Sequence, residues 1–310
     1  MAGNRRKFIK ETGAAILASS LFAPGDLAAM ADPVKKLTIL HTNDVHSRID
    51  PFPMDGSRNQ GLGGVAARAA LIKKIREEDE HVLLLDAGDI FQGTPYFNIY
   101  KGELEIKAMA AMQYDASTMG NHDFDLGLEN FATQLKHASF PILMSNYDFS
   151  GTPMEGKTLP YKIIKKGGLE IGLFGIGIEL KGLVPDNLYG KTVYQDPIVA
   201  ANNTAELLHK KGCDLVICLS HLGDRYTDNK VSDEVLAKES FDIDLIIGGH
   251  THRFFEEPRK YTNKKGGDVL VNQVGFGGIQ LGRLEYHFSR FGKKNLAKSH
   301  TVVVGKKTSE

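Results

Sequence analysis

Seven side chains able to bind hard or borderline metal ions sit in five short stretches of this 310-residue chain. They are Asp44 and His46, Asp89, Asn121, His221, and His250 with His252. All offer oxygen or nitrogen, and none offers sulfur. A catalytic zinc usually takes three protein ligands, so this set suits two ions side by side better than one. Paired cations clamp a phosphoryl group, offset the charge that builds in the transition state, and bring the pKa of a bound water close to neutrality. The chemistry indicated is cleavage of a phosphoester by water, with no side-chain nucleophile required.

The elements that must position these groups surround them in the sequence. Apolar runs at 37–40, 82–85, 215–219 and 245–247 lead into four of the five stretches. The ligands therefore fall where strands end, the place at which open α/β sheets build their sites. In an extended segment residues i and i+2 point the same way, roughly 7 Å apart, so Asp44 with His46, and His250 with His252, are expected to face one cavity. Each stretch also has a plainer use: Asp-x-His and Gly88-Asp89 as turns, Asn121-His122-Asp123 as a helix start with its cap. Two histidines behind Gly248-Gly249 at the end of an apolar strand have little packing purpose, and the strand-end setting that the stretches share favours the joint reading.

Strands expected near 36–43, 81–86, 115–118 and 141–145 alternate with helices near 64–79, 101–113 and 126–138. That is the βαβ order of a largely parallel sheet covered by helices. A hairpin is expected over 161–166 and 169–175 around Gly167-Gly168, then a helix over 197–211 and strands at 214–219, 243–247 and 268–274. Segments 278–289 and 301–304 are expected to pair and close a second sheet. Gly61-Leu62-Gly63-Gly64 lacks the Gly-Lys-Ser/Thr of a phosphate-cradling loop and reads as a helix-entry turn. Cys213 and Cys218 flank one expected strand and project to opposite faces, beyond bridging reach; both read as core thiols. His41, His81, His137, His209, His287 and His300 read as structural or solvated.

The segments His-Thr-Asn-Asp-Val-His at 41–46, Asp-Ala-Gly-Asp at 86–89, Gly-Asn-His-Asp-Phe-Asp at 120–125, Ser220-His221 and Gly-Gly-His-Thr-His at 248–252 resemble the calcineurin-like metallophosphoesterases. More narrowly, they are similar to the catalytic domain of the bacterial 5'-nucleotidase and UDP-sugar hydrolase family, over residues from about 36 to about 283. The resemblance implies an α/β fold, a four-layer α-β-β-α sandwich of two mixed sheets with the metals at the strand ends. It makes Asp44, His46 and His252 ligands of one divalent ion (Mn, Zn, Co, Fe or Mg), and Asn121, His221 and His250 ligands of a second, with Asp89 bridging. Family members often carry Gln at the place of His252, a departure that favours ions preferring imidazole. The same resemblance assigns substrate binding to Asn121 and His122. It makes His122 the group that assists the leaving alkoxide, oriented by Asp125, which would keep the imidazole in one tautomer and favour its charged form. The plainer use of Asp125 is to cap a helix starting near 126.

The activity implied is 5'-nucleotidase-like hydrolysis of nucleotides or nucleotide sugars. A sulfur-ester hydrolase sharing this metal site is the rival enzyme, and a catalytically silent binding module the rival from another class; the complete ligand set with His122 and Asp125 argues against silence. Lys+Arg 38 against Asp+Glu 38 leaves a formal net charge of zero, with no basic field to hold a nucleic-acid polymer. Small phosphoesters are thus the expected substrates.

Residues 1–31 read as an export signal. Arg5-Arg6 followed by Phe8-Ile9-Lys10 resembles a twin-arginine signal, and Ala29-Met30-Ala31 offers a cleavage site before Asp32. The apolar stretch at 13–23 is shorter than the roughly 20 residues that span a bilayer, so periplasmic or other export without a membrane anchor is expected. Residues 32–310 are then a single catalytic domain. Longer relatives in the family continue into a C-terminal substrate domain that gathers base and sugar. With that domain absent here, a separately encoded chain resembling it is the expected partner.

Overall fold

A computed structural model of the chain describes residues 35–289 and 294–305, so the expected export signal lies outside the described residues. In chain order the first half holds β1 (Lys35–Thr42), α1 (Val65–Glu78), β2 (Val82–Asp86), α2 (Pro95–Tyr100), α3 (Glu103–Ala111), β3 (Ala116–Ser117), α4 (Gly127–Gln134) and β4 (Tyr147–Asp148). The second half holds β5 (Tyr161–Lys166), β6 (Leu169–Ile176), α5 (Asp186–Tyr189), β7 (Val193–Tyr194), α6 (Pro197–Lys210), β8 (Leu215–Ser220), α7 (Asp233–Glu239), β9 (Leu245–Gly248), β10 (Arg259–Thr262), β11 (Asp268–Asn272), β12 (Gln280–Phe288) and β13 (Lys294–Val303).

Two mixed sheets carry the structure. One has strand order β13-β12-β1-β2-β3, the other β10-β11-β9-β8-β6-β5. The central strands are buried on both sides, and their alternation sorts side chains between layers. Leu37, Ile39, Leu83 and Leu85 meet Ile171, Leu173, Leu215, Ile217 and Leu219 between the sheets. The intervening Leu40, Val82 and Leu84 pack with Ile72 and Ile75 of α1 and with the α3 and α4 side chains. Val216, Cys218 and Ile246 face Ala201, Ala205 and Leu208 of α6 and Leu236 of α7. The result is the four-layer α-β-β-α sandwich.

Several expectations change. β12 and β13 close the first sheet, not the second, because β12 pairs antiparallel with β1 (Ile39 opposite Leu284) and puts Leu284, Tyr286 and Phe288 between the layers. Residues 141–145 form only isolated bridges, Ser117 to Ile142 and Leu143 to Leu159. The helix expected at 101–113 is α3, and an additional helix, α2, precedes it; Lys101 and Gly102, with φ values of 57° and 99°, separate the two. A side chain on Gly102 would lie 2.3 Å from the Phe91 ring. Cys213 and Cys218 are free and buried, as expected, but share one apolar layer; Cys213 lies in the turn before β8, where strand alternation does not apply. Gly64 is the helix-entry residue of α1.

Candidate dinuclear metal centre

The site forms at one end of both sheets. Asp44 and His46 follow β1, Asp89 follows β2, Asn121 and His122 follow β3, His221 follows β8, and His250 and His252 follow β9. Extended backbone does not aim these groups. Asp44, His46, Asp89, His250 and His252 have φ of 50°, 50°, 54°, 69° and 54°, the left-handed region that non-glycine residues rarely occupy outside functional sites. Convergence therefore comes from strained turns, not from the i, i+2 alternation expected from sequence.

Backbone bonds hold those turns against each other. Asp44 N–H donates to Gly88 O (2.9 Å), His46 N–H to Asp89 O (3.1 Å) and Gly277 N–H to Asp44 O (2.7 Å). His250 N–H donates to both Asp44 carboxylate oxygens at 3.0 Å, joining the two sheets. Gly88 has φ 88°, and a Cβ there would sit 2.5 Å from Gly120 N.

The side chains gather into two trios, Asp44 with His46 and His252, and Asp89 with His221 and His250, the ligand atoms of each lying within 4.8 Å of one another. In the first, His252 Nε2 is 3.2 Å from Asp44 Oδ1 and 3.0 Å from His46 Nε2. In the second, Asp89 Oδ2 is 3.0 Å from His221 Nε2, and Asn121 Oδ1 is 2.8 Å from His250 Nδ1. Asp89 Oδ2 also lies 3.9 Å from His46 Nε2, which places it between the trios.

The donor chemistry fits cations. His221 is fully buried, and its Nδ1 donates to Ala87 O at 2.7 Å. Its Nε2 lies near Asp89 but out of hydrogen-bonding line, without a partner. A histidine tied through one nitrogen to a carbonyl with the other free is the usual arrangement of a metal ligand. His46 likewise sets Nδ1 3.2 Å from Phe91 O, with Nε2 turned toward His252. Electrostatics agree. Burial opposes charge on His221, yet Asp89 and then Asp44 overcome it and push the imidazole up to about 10. Burial likewise disfavours charge on Asp89, but His221 and His46 hold its carboxyl below the usual range. Burial, then the neighbouring His221, pushes His250 down to about 4. Two buried carboxylates here call for positive charge, which protons or metal ions can supply.

His122 stands beside the trios, its ring 5.3 Å from that of His46. Its Nδ1 is 2.9 Å from Asp125 Oδ2. That hydrogen bond outweighs partial burial and raises the imidazole pKa. Asp125 makes no helix cap; α4 starts after Leu126 with no side-chain cap bond. Of the nearby aromatics, Phe91 and Phe124 are core, Tyr96 bonds to Asp50, and Phe254 is exposed.

Sequence reasoning missed the supports. Asp123, within the Gly-Asn-His-Asp stretch, is buried and accepts from the N–H groups of Gly120 (2.8 Å), Asp89 (3.0 Å), Ile90 (3.0 Å) and Phe91 (3.1 Å). Burial and the Asp89 charge push its pKa up to about 7. Asn43 and Gln273 pin the turns around Asp44 and Arg253. The only signal for Asp123 was a carboxylate in a turn rich in unpaired N–H groups. Asp123→Ala leaves four buried N–H groups without their acceptor. It is expected to lower unfolding free energy by roughly 2–5 kcal/mol, as measured by urea denaturation.

A sequence profile of the calcineurin-like phosphoesterases matches residues 37–254. The chain belongs to that family. Among its relatives it is 35% identical over 295 residues to the snake venom 5'-nucleotidase of Crotalus adamanteus, covering 89% of this chain and 49% of that one. A crystal structure of a 5'-nucleotidase precursor from Thermus thermophilus superposes with TM-score 0.77 at 33% identity, over 87% of this chain and 55% of the other. The NAD nucleotidase of Haemophilus influenzae gives TM-score 0.78 at 28% identity, over 88% and 57%. The chain spans about half the length of the curated relatives that it matches.

Proposed function

We propose that the chain is an exported, metal-dependent phosphoester hydrolase of the 5'-nucleotidase kind, acting on nucleotides or nucleotide sugars. The observation that carries this reading is the pair of trios with Asp89 between them and the His122–Asp125 pair alongside. The relatives named as 5'-nucleotidases support the substrate class.

Asp44, His46 and His252 would hold one divalent ion, and Asn121, His221 and His250 the other, with Asp89 shared. Bound there, the ions would neutralise phosphoryl oxygens and supply hydroxide near neutral pH. His122 uses Nδ1 toward Asp125, which leaves Nε2 to carry the proton for the leaving oxygen. Its backbone N–H donates to Asp89 Oδ1 at 2.8 Å and fixes the ring's position against the shared ligand. Asn121, adjacent, would help to bind the phosphoryl group.

Phosphate release from AMP, UDP-glucose, 2',3'-cyclic AMP and bis(p-nitrophenyl) phosphate, measured after metal reconstitution, tests the reading. Turnover of AMP or UDP-glucose that chelation abolishes is the expected result, and no release from any of the four would overturn it. Export rests on Arg5-Arg6 and the cleavage site before Asp32, and a relative named as a precursor supports it. Replacing Arg5 and Arg6 together by Lys is expected to retain the precursor inside the cell, as read by fractionation; mature protein outside would leave the paired arginines without a role. Among the described residues no helix is long and apolar enough to cross a membrane.

A further inference from the structure

The histidines of the centre are not anchored alike. His46, His221 and His122 each fix a ring nitrogen on a carbonyl or carboxylate, and His250 meets Asn121. His252 has no such anchor: its Nε2 meets only fellow candidate ligands, His46 at 3.0 Å and Asp44 Oδ1 at 3.2 Å, and its side chain is 40% exposed. Its ring instead lies flat on Phe276, with centroids 5.2 Å apart and planes 21° from parallel.

Phe276 is itself held firmly. The Phe52 and Phe254 rings meet it edge-on at 6.1 and 5.9 Å, and the Arg48 guanidinium caps Phe52 at 3.9 Å. Its two neighbours tie it to both ligand turns: Gly277 N–H donates to Asp44 O, and Gly275 N–H to Arg253 O at 2.8 Å. Both glycines have positive φ, and a Cβ on Gly275 would lie 2.1 Å from the Phe254 ring. Only a residue without a side chain lets this aromatic group close.

From this geometry we propose that Phe276 is the positioning residue of His252, doing by ring stacking what a hydrogen bond does for the other ligands. In consequence, losing the Phe276 face should weaken the ion held by Asp44, His46 and His252 and leave the ion held by Asn121, His221 and His250 unchanged. A hydrogen-bonded partner fixes both ring plane and tautomer. A stacked face fixes the plane only, through a contact whose attraction adds to that of its buried area. The proposal rests on the two-metal reading above.

Titration of the metal-stripped full chain with Mn²⁺, following free ion by electron paramagnetic resonance, tests it. The native chain is expected to bind two ions with distinct affinities. Phe276→Leu keeps apolar bulk but loses the flat face, and should weaken only one of the two steps, by about 10- to 100-fold, the usual effect of losing a ligand's support. Phe276→Tyr, which keeps the face, should restore native binding, and His252→Ala should abolish the same step. Unchanged affinities in Phe276→Leu, or equal weakening of both steps, would overturn the positioning role while leaving two ions in place. A native chain that binds no Mn²⁺ would overturn the two-metal reading itself, and this inference with it.

Discussion

Asp89→Asn is expected to abolish hydrolysis while leaving the fold intact. The side chain is buried, and its carboxylate lies 3.0 Å from His221 Nε2 of one trio and 3.9 Å from His46 Nε2 of the other. Asparagine matches its shape and can keep the acceptor for His122 N–H, so packing and the neighbouring turn survive. What disappears is the negative charge between two cation positions, together with one of the oxygens that could bridge them. Losing a single preorganised electrostatic group costs about 10²- to 10³-fold in rate; losing a shared ligand of two ions should cost at least the upper end. Metal analysis and turnover on the purified variant check this. Two tightly bound ions with near-native turnover would contradict the shared role.

His122→Ala should behave differently, keeping its metal but losing about 10²- to 10⁴-fold in rate, the usual range for a general acid. The loss should be smaller for bis(p-nitrophenyl) phosphate, because nitrophenolate leaves without a proton. An equal loss for all substrates would assign His122 to phosphoryl positioning instead. Asp125→Asn supplies the pH readout. Asp125 raises the His122 pKa above its ordinary value, and a general acid works while protonated, so activity falls as pH rises through that pKa. Without the carboxylate the pKa drops, and the alkaline limb of kcat should move to lower pH.

How these residues come together could be read only in part from the chain. The apolar runs before Asp44, Asp89, His221 and His250 became β1, β2, β8 and β9, since strands buried on both faces leave a continuous local signature. The hairpin of β5 and β6 followed from Gly167-Gly168. The destination of 278–289 did not, because either sheet could accept an apolar strand and only pairing with β1, over 240 positions away in sequence for Ile39 and Leu284, decides between them. β10 and α7 went unread for want of strong periodicity in short, partly exposed segments.

At the centre the division is sharper. Donor type and strand-end placement are properties of the local sequence, and they point to the candidate ligands and the chemistry those ligands suit. The left-handed turns at Asp44, His46, Asp89, His250 and His252 were not visible, because nothing local favours that conformation in aspartate or histidine enough to announce it. It persists because distant groups over-determine it: Asp44 with His250 N–H, 206 residues away, and Asp123 with the N–H groups of Asp89, Ile90, Phe91 and Gly120. Phe276 under His252 belongs to the same class. Side-chain identity fixes what a residue can bind, whereas packing between separate sheets fixes where its lone pair points, and that orientation leaves no trace in the residues next to it.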